Sequence, residues 1–250
     1  MPVVLFLIAV VLFSSCGAWA QTSSDAAREK RWADQVVPGL VVGEAITLTS
    51  QGGLKFLALY TPVERAKGAV LLAHGPGLHP DHGITGELRM HLADRGYTTL
   101  SLQMPVLAAE VDDGSAYRAL YPEAVLRFAA GLRFLQEKGA TRIAIVSHAM
   151  GAGMAYEYLR TRGTQPVFAW AALSFYGGFD AIAAAPLPVL DLYGVNDYRG
   201  IRGPARERAR VLAGIAGSRQ LALPEGGYFL AGAEKPVLRE VAAFLDSLAR

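Results

Sequence analysis

The sequence predicts an α/β fold: a doubly wound, mostly parallel sheet with an N-terminal antiparallel hairpin and helices on both faces. Three observations predict it. Short runs that are almost wholly apolar recur at 68–73, 97–102, 143–146, 167–173 and 189–193, as expected of strands covered on both faces. Helical patterns separate them. Ahead of them, 44–49 and 55–60 alternate polar and apolar residues around the turn Gln51-Gly52-Gly53, which reads as a hairpin. Alternating βα units wind right-handed and place a site at the carboxyl ends of the strands.

In chain order, residues 1–20 carry no charged side chain, and 3–13 is an apolar run too short to span a membrane as a helix. Ala18-Trp19-Ala20 gives an A-x-A site before Gln21, so 1–20 reads as a signal peptide, although a positive n-region is missing. The alternatives are an uncleaved anchor and acylation at Cys16, the only cysteine. Cleavage after Ala20 leaves a periplasmic protein with no disulfide and no stable transmembrane segment, held by its core. Residues 21–43 form a lead-in, with a polar helix over 24–36 stopped by Pro38-Gly39, and 44–250 form one domain. Helices are expected over 87–95, 117–138, 150–161, 205–215 and 235–249. A last strand is expected over 219–223. The stretch 105–116 reads as a mobile loop. An apolar fraction of 52% and a charged fraction of 18% suit a globular core. A net charge of +2 gives no argument for nucleic acid.

The organising stretch is Ile143-Ala-Ile-Val-Ser147-His148-Ala149-Met150-Gly151, a strand, a sharp turn and a helix start. Such a turn with small residues is the setting of the G-x-S-x-G nucleophile elbow. Ala149 stands where that pattern has its serine. After the first buried strand comes His74-Gly75-Pro76-Gly77, and here the sequence resembles the α/β-hydrolase superfamily, whose H-G-x-G segment helps form the oxyanion hole. The likeness implies oxyanion donors from this loop and from the Met150 N–H at a helix start. Gly194-Val-Asn-Asp197 resembles the superfamily's acid segment, which puts Asp197 at the triad acid. The loop after the last strand should carry the triad histidine. Tyr228, with Gly227 as the alternative, occupies its place, and no histidine follows His148. A phenol with a reference pKa of about 10 is a poor general base at neutral pH.

The stretches 74–81, 101–105 and 187–194 look like a functionally uncharacterised family of exported bacterial α/β-hydrolase-like proteins. Ser174-Phe-Tyr-Gly177 is similar to dienelactone-hydrolase relatives, which use a cysteine nucleophile absent here. The resemblance covers about residues 44–249. It implies the fold and a pocket lined by His74, Gly75, Gly77, Met104, Ala149, Met150, Asp197 and Tyr228. The function expected is binding of a small ester- or acyl-like ligand, or of a cell-envelope protein, at a degenerate triad with no cofactor. Two enzyme alternatives stand beside it. One is an ester hydrolase using Ser147. The other is a metal site on His79, Asp81 and His82, whose residue types suit zinc or copper but whose spacing matches no motif. A third reading is an envelope interaction protein without a ligand pocket. Asp191, inside a strand, is expected to satisfy a local donor.

Overall fold

The computed structural model describes residues 24–111 and 114–248. The expectations for the first 20 residues lie outside this range. The elements are α1 (Ala26–Val36), β1 (Glu44–Thr49), β2 (Lys55–Thr61), β3 (Ala69–Ala73), α2 (Gly83–Asp94), β4 (Thr98–Leu102), α3 (Tyr121–Glu137), β5 (Ile143–His148) and α4 (Met150–Arg162). There follow β6 (Val167–Leu173), α5 (Asp180–Ala184), β7 (Val189–Gly194), α6 (Arg199–Arg202), α7 (Ala205–Ala213), β8 (Arg219–Leu223) and α8 (Glu234–Leu248).

The eight strands form one sheet in the order β1-β2-β4-β3-β5-β6-β7-β8. β1 and β2 pair antiparallel, as do β2 and β4, and every pair from β4–β3 onward is parallel. Successive side chains of a strand face opposite ways, so the sheet separates two cores. Leu71, Leu100, Ile145 and Trp170 pack with Phe128 and Leu132 of α3 on one face. Val70, Leu72, Val146 and Leu190 pack with Leu92 of α2 and with Val241 and Phe244 of α8 on the other. Chain order reverses between β3 and β5, and that switch point opens a crevice at the strand C-termini. Among the described residues, no helix is long and apolar enough to cross a membrane.

Several boundaries differ from the sequence reading. α2 begins at Gly83 rather than at residue 87, because Ile84 and Thr85 are already buried; Gly83 and Gly86 weaken the helical signal there. The helix expected from residue 117 is divided. A 3-10 stretch, Gly114–Leu120, precedes α3, which starts at Tyr121 with Pro122 in its first turn, where a missing N–H costs nothing. The short helices α5 and α6 carried no readable period. The loop after β4 is tied down at its start: Pro105 is buried, and the Val106 carbonyl accepts from Asp25 N–H. Asp112 and Asp113 lie outside the described residues.

Candidate functional site

The crevice is built around the turn between β5 and α4. Ala149 sits at its tip with φ 52 and ψ −113, a left-handed conformation that a side chain adopts at a cost. The Ala149 N–H donates to Leu173 O at 2.8 Å, which extends the β5–β6 ladder into the turn. Gly151 allows the turn to press on β3, because a Cβ there would collide with the His74 carbonyl and lie 2.7 Å from Ala73 O. Gly75 is confined in the same way, with His148 Nδ1 and Leu78 Cδ1 each 3.3 Å from where its Cβ would be.

A cavity of about 630 Å³ opens beside Ala149. Ala149, Met150, Pro76 and Gly77 line it, together with Arg28, Tyr117, Tyr121, Tyr176, Tyr198 and Phe229. Four residues expected in the wall stand elsewhere. His74, Gly75, Met104 and Asp197 are not among the described lining residues. The Met104 side chain, just beyond the end of β4, belongs to the core, 1% exposed. Its N–H holds His74 by donating to Nε2 at 2.9 Å. With Nε2 accepting, Nδ1 carries the proton and donates to Gly75 O at 2.8 Å. Burial drives the His74 pKa down to about 3, so the ring is neutral and braces the loop.

Asp197, 2% exposed, has its carboxylate taken up by neighbours. Oδ2 accepts from the Ser174 hydroxyl at 2.5 Å. Oδ1 accepts from Tyr198 N–H at 2.9 Å and Phe229 N–H at 3.2 Å. These bonds join the ends of β6 and β7 to the loop after β8. That loop turns at Tyr228–Leu230, with Phe229 at φ 50. The Tyr228 side chain lies outside the described residues. Phe229, which the sequence reading passed over, lines the cavity and packs edge-on against His148, ring centroids 5.6 Å apart. No local pattern marks it, since its place follows from the fold of the loop. His148 Nε2–H donates to Phe229 O at 3.2 Å. Burial nevertheless holds the His148 pKa down to about 4.

Ser147 is 1% exposed and sits inside the sheet, where its Oγ accepts the Trp170 indole N–H at 2.7 Å. It is not among the described lining residues. Of the three residues of the metal alternative, Asp81 is engaged by an arginine, while His79 and His82 meet residues of the same set. Asp81 Oδ1 accepts from Arg89 Nε at 3.1 Å and Nη2 at 2.7 Å. His79 Nδ1 accepts from Asp81 N–H, and the His79 and His82 rings meet edge-to-face. Among the described residues, no group of three or more His, Cys, Asp or Glu side chains is placed to hold a metal ion. Asp191 is fully buried against Arg208 Nε at 2.7 Å and also accepts from Gln220, in line with the local role expected for it.

Residues 4–124 match a family described as protein of unknown function (DUF3530). No curated protein matches the chain. Among solved structures, the chain is similar to Est1E from Butyrivibrio proteoclasticus, with a TM-score of 0.66, 13% identity, and 82% of this chain and 99% of that one covered. It is also similar to a dienelactone hydrolase from Anabaena variabilis, with a TM-score of 0.65, 18% identity, and coverage of 82% and 97%. The Pyrococcus furiosus esterase Pf2001 gives a TM-score of 0.65 at 11% identity, with coverage of 82% and 89%. At such identities the likeness establishes the α/β-hydrolase fold and nothing of the chemistry.

Proposed function

We propose that this α/β-hydrolase-fold chain is an exported, non-catalytic relative of the esterases, whose cavity binds a small ester- or acyl-like ligand without turning it over. The observation that carries the reading is Ala149. The tip of the turn keeps a strained, left-handed backbone against the cavity while presenting only a methyl group. Such strain costs about 1–3 kcal/mol, and in a nucleophile elbow it serves to expose an attacking oxygen.

Three further features support it. The carboxylate of Asp197 is engaged by Ser174 and two backbone N–H groups, with no imidazole among these partners. Pro76 lines the cavity beside Ala149 and has no N–H to offer an oxyanion. The one nearby hydroxyl proposed as a substitute, that of Ser147, is bonded inside the sheet. What persists is the shape, together with the positive end of α4 at Met150. Retained binding without an attacking atom gives capture rather than turnover.

The test is fluorophosphonate labelling of the protein combined with turnover of short-chain aryl esters. Neither label nor product above the buffer rate is expected. Labelling that disappears in Ser147→Ala would sink the reading and make Ser147 a nucleophile. Export rests on residues 1–20. The intact mass of protein recovered from the periplasm is expected to begin at Gln21, and a mass that still includes Met1 would count against cleavage at Ala20.

A further inference from the structure

We propose that the cavity is a receptor for an organic carboxylate, with Arg28 and Tyr117 gripping the carboxylate over Gly77 and the apolar body lying along Tyr121, Met150 and Phe229. This narrows the ester- or acyl-like ligand proposed above to one that carries a free carboxylate, and it rests on that reading.

The argument begins with Gly77. It has φ +66 and no Cβ, and the space a Cβ would fill is bordered by Arg28 Nη2 at 3.3 Å and the Tyr117 hydroxyl at 3.5 Å. Two donors of different kinds therefore border one small patch of bare backbone on the cavity wall. The Tyr117 side chain is 5% exposed, so its ring is held in the core. Its hydroxyl has no protein partner among the described residues, yet Tyr117 lines the cavity. A phenol brought to a cavity on a buried ring, with its hydroxyl unbonded, has a donor left for whatever enters.

Arg28 is equally built in. Nη1 donates to Leu107 O at 2.7 Å and Nη2 to Gly77 O at 3.3 Å. Its guanidinium lies 4.7 Å over the Trp32 ring. Two carbonyls occupy only part of the guanidinium's fork of N–H donors, which leaves others for a ligand. Carbonyls do not neutralise its charge, whereas a carboxylate would do so and match its planar geometry.

Charge and size agree with this assignment. Arg28 and Arg118 both line the cavity, and no Asp or Glu is among its described lining residues. The N-terminus of α4 opens into the same space and adds positive potential. Tyr121, Tyr176, Tyr198, Phe229 and Met150 give the wall aromatic and thioether surface, suited to a flat or acyl body. At about 630 Å³ the cavity is in the range of small-molecule sites. A neutral ester would use the aromatic wall but leave the arginine charge uncompensated.

The test is isothermal titration of the protein with 3-phenylpropionate, 3-phenylpropanamide and methyl 3-phenylpropionate at pH 7.5, with NMR of the ester mixture after incubation. The acid is expected to bind roughly tenfold or more tightly than the amide. Tyr117→Phe removes one oxygen and keeps the ring. It is expected to weaken the acid by roughly ten- to a hundredfold while leaving the amide within about twofold. Equal affinity for acid and amide, or a Tyr117→Phe protein that binds the acid at full strength, overturns the carboxylate site and leaves the binding role intact. Binding of none of the three overturns both. Conversion of the ester to acid overturns the non-catalytic reading alone, and the Tyr117→Phe comparison still judges the carboxylate site.

Discussion

Arg127→Met is expected to lower the stability of the protein by about 3–5 kcal/mol, because it strands the buried carboxylate of Glu29 and the partly buried one of Glu123. Arg127 is 2% exposed and bonds both oxygens of Glu29, at 2.9 and 3.0 Å. It also bonds Glu123, the Gln103 carbonyl and the Ser24 hydroxyl. Glu29 lies on α1 and Glu123 on α3, so one guanidinium fastens the N-terminal helix to the body of the fold. Burial already raises the Glu29 carboxyl above its ordinary pKa, with Arg127 the main counterweight. Methionine keeps much of the volume and removes that counterweight. The preceding residue of α1, Arg28, forms part of the cavity wall, so the same substitution is expected to impair the pocket. Urea unfolding at pH 7.5 measures the effect as a shift in midpoint at constant m-value. A loss below about 1 kcal/mol would mean that solvent reaches the pair and that α1 is held by other contacts.

The second large effect is acid sensitivity set by two neutral histidines. Burial lowers His74 to about 3 and His148 to about 4, against an unfolded value near 6.5. Between those limits the unfolded chain binds protons that the folded chain refuses, so stability falls as pH drops below 6.5. Each histidine contributes about 1.4 kcal/mol per pH unit in its window, which closes near pH 4 for His148 and near pH 3 for His74. Glu29 and Asp191 pull the other way, since burial raises both carboxyls and their protonation relieves a penalty as pH falls. Asp246, held low by Lys67, Arg95 and Tyr97 against the opposing effect of burial, loses its stabilisation only at still lower pH. His148→Gln keeps an amide donor for the Phe229 carbonyl and removes the titration. The stability difference between wild type and His148→Gln is therefore expected to change by about 2–3 kcal/mol from pH 6.5 to pH 4.5, the carboxyl contributions cancelling. A flat difference would show that the folded state accepts the proton and that His148 is wetter than its packing against Phe229 implies.

Much of the architecture was legible because its signals are local. Apolar runs at 68–73, 143–146 and 167–173 need cover on both faces, and only a sheet between two helical layers supplies it. The β5–α4 turn was legible from its small residues. The same is true of the glycine at 151, whose missing side chain is required by contact with β3. Helix starts at glycines were not legible. Nor were the short α5 and α6, since four or five residues hold too little of a 3.6-residue period to be distinguished from a loop.

Sequence order alone determined that Ala149 and Asp197 would come to the carboxyl edge of one sheet, because βα units with right-handed crossovers leave few other arrangements. Tertiary structure decided what those positions do. It took Met104 into the core, used His74 as a brace, saturated Asp197 with Ser174 and main-chain donors, and bonded Ser147 to Trp170. It also brought Arg28, from a helix before the first strand, beside Tyr117 and Gly77 on the cavity wall. The physical reason is that periodicity and motif spacing record which face of an element is buried. The partner of each polar atom is set by contacts between segments far apart in the chain, such as Arg28 with Gly77 and His148 with Phe229.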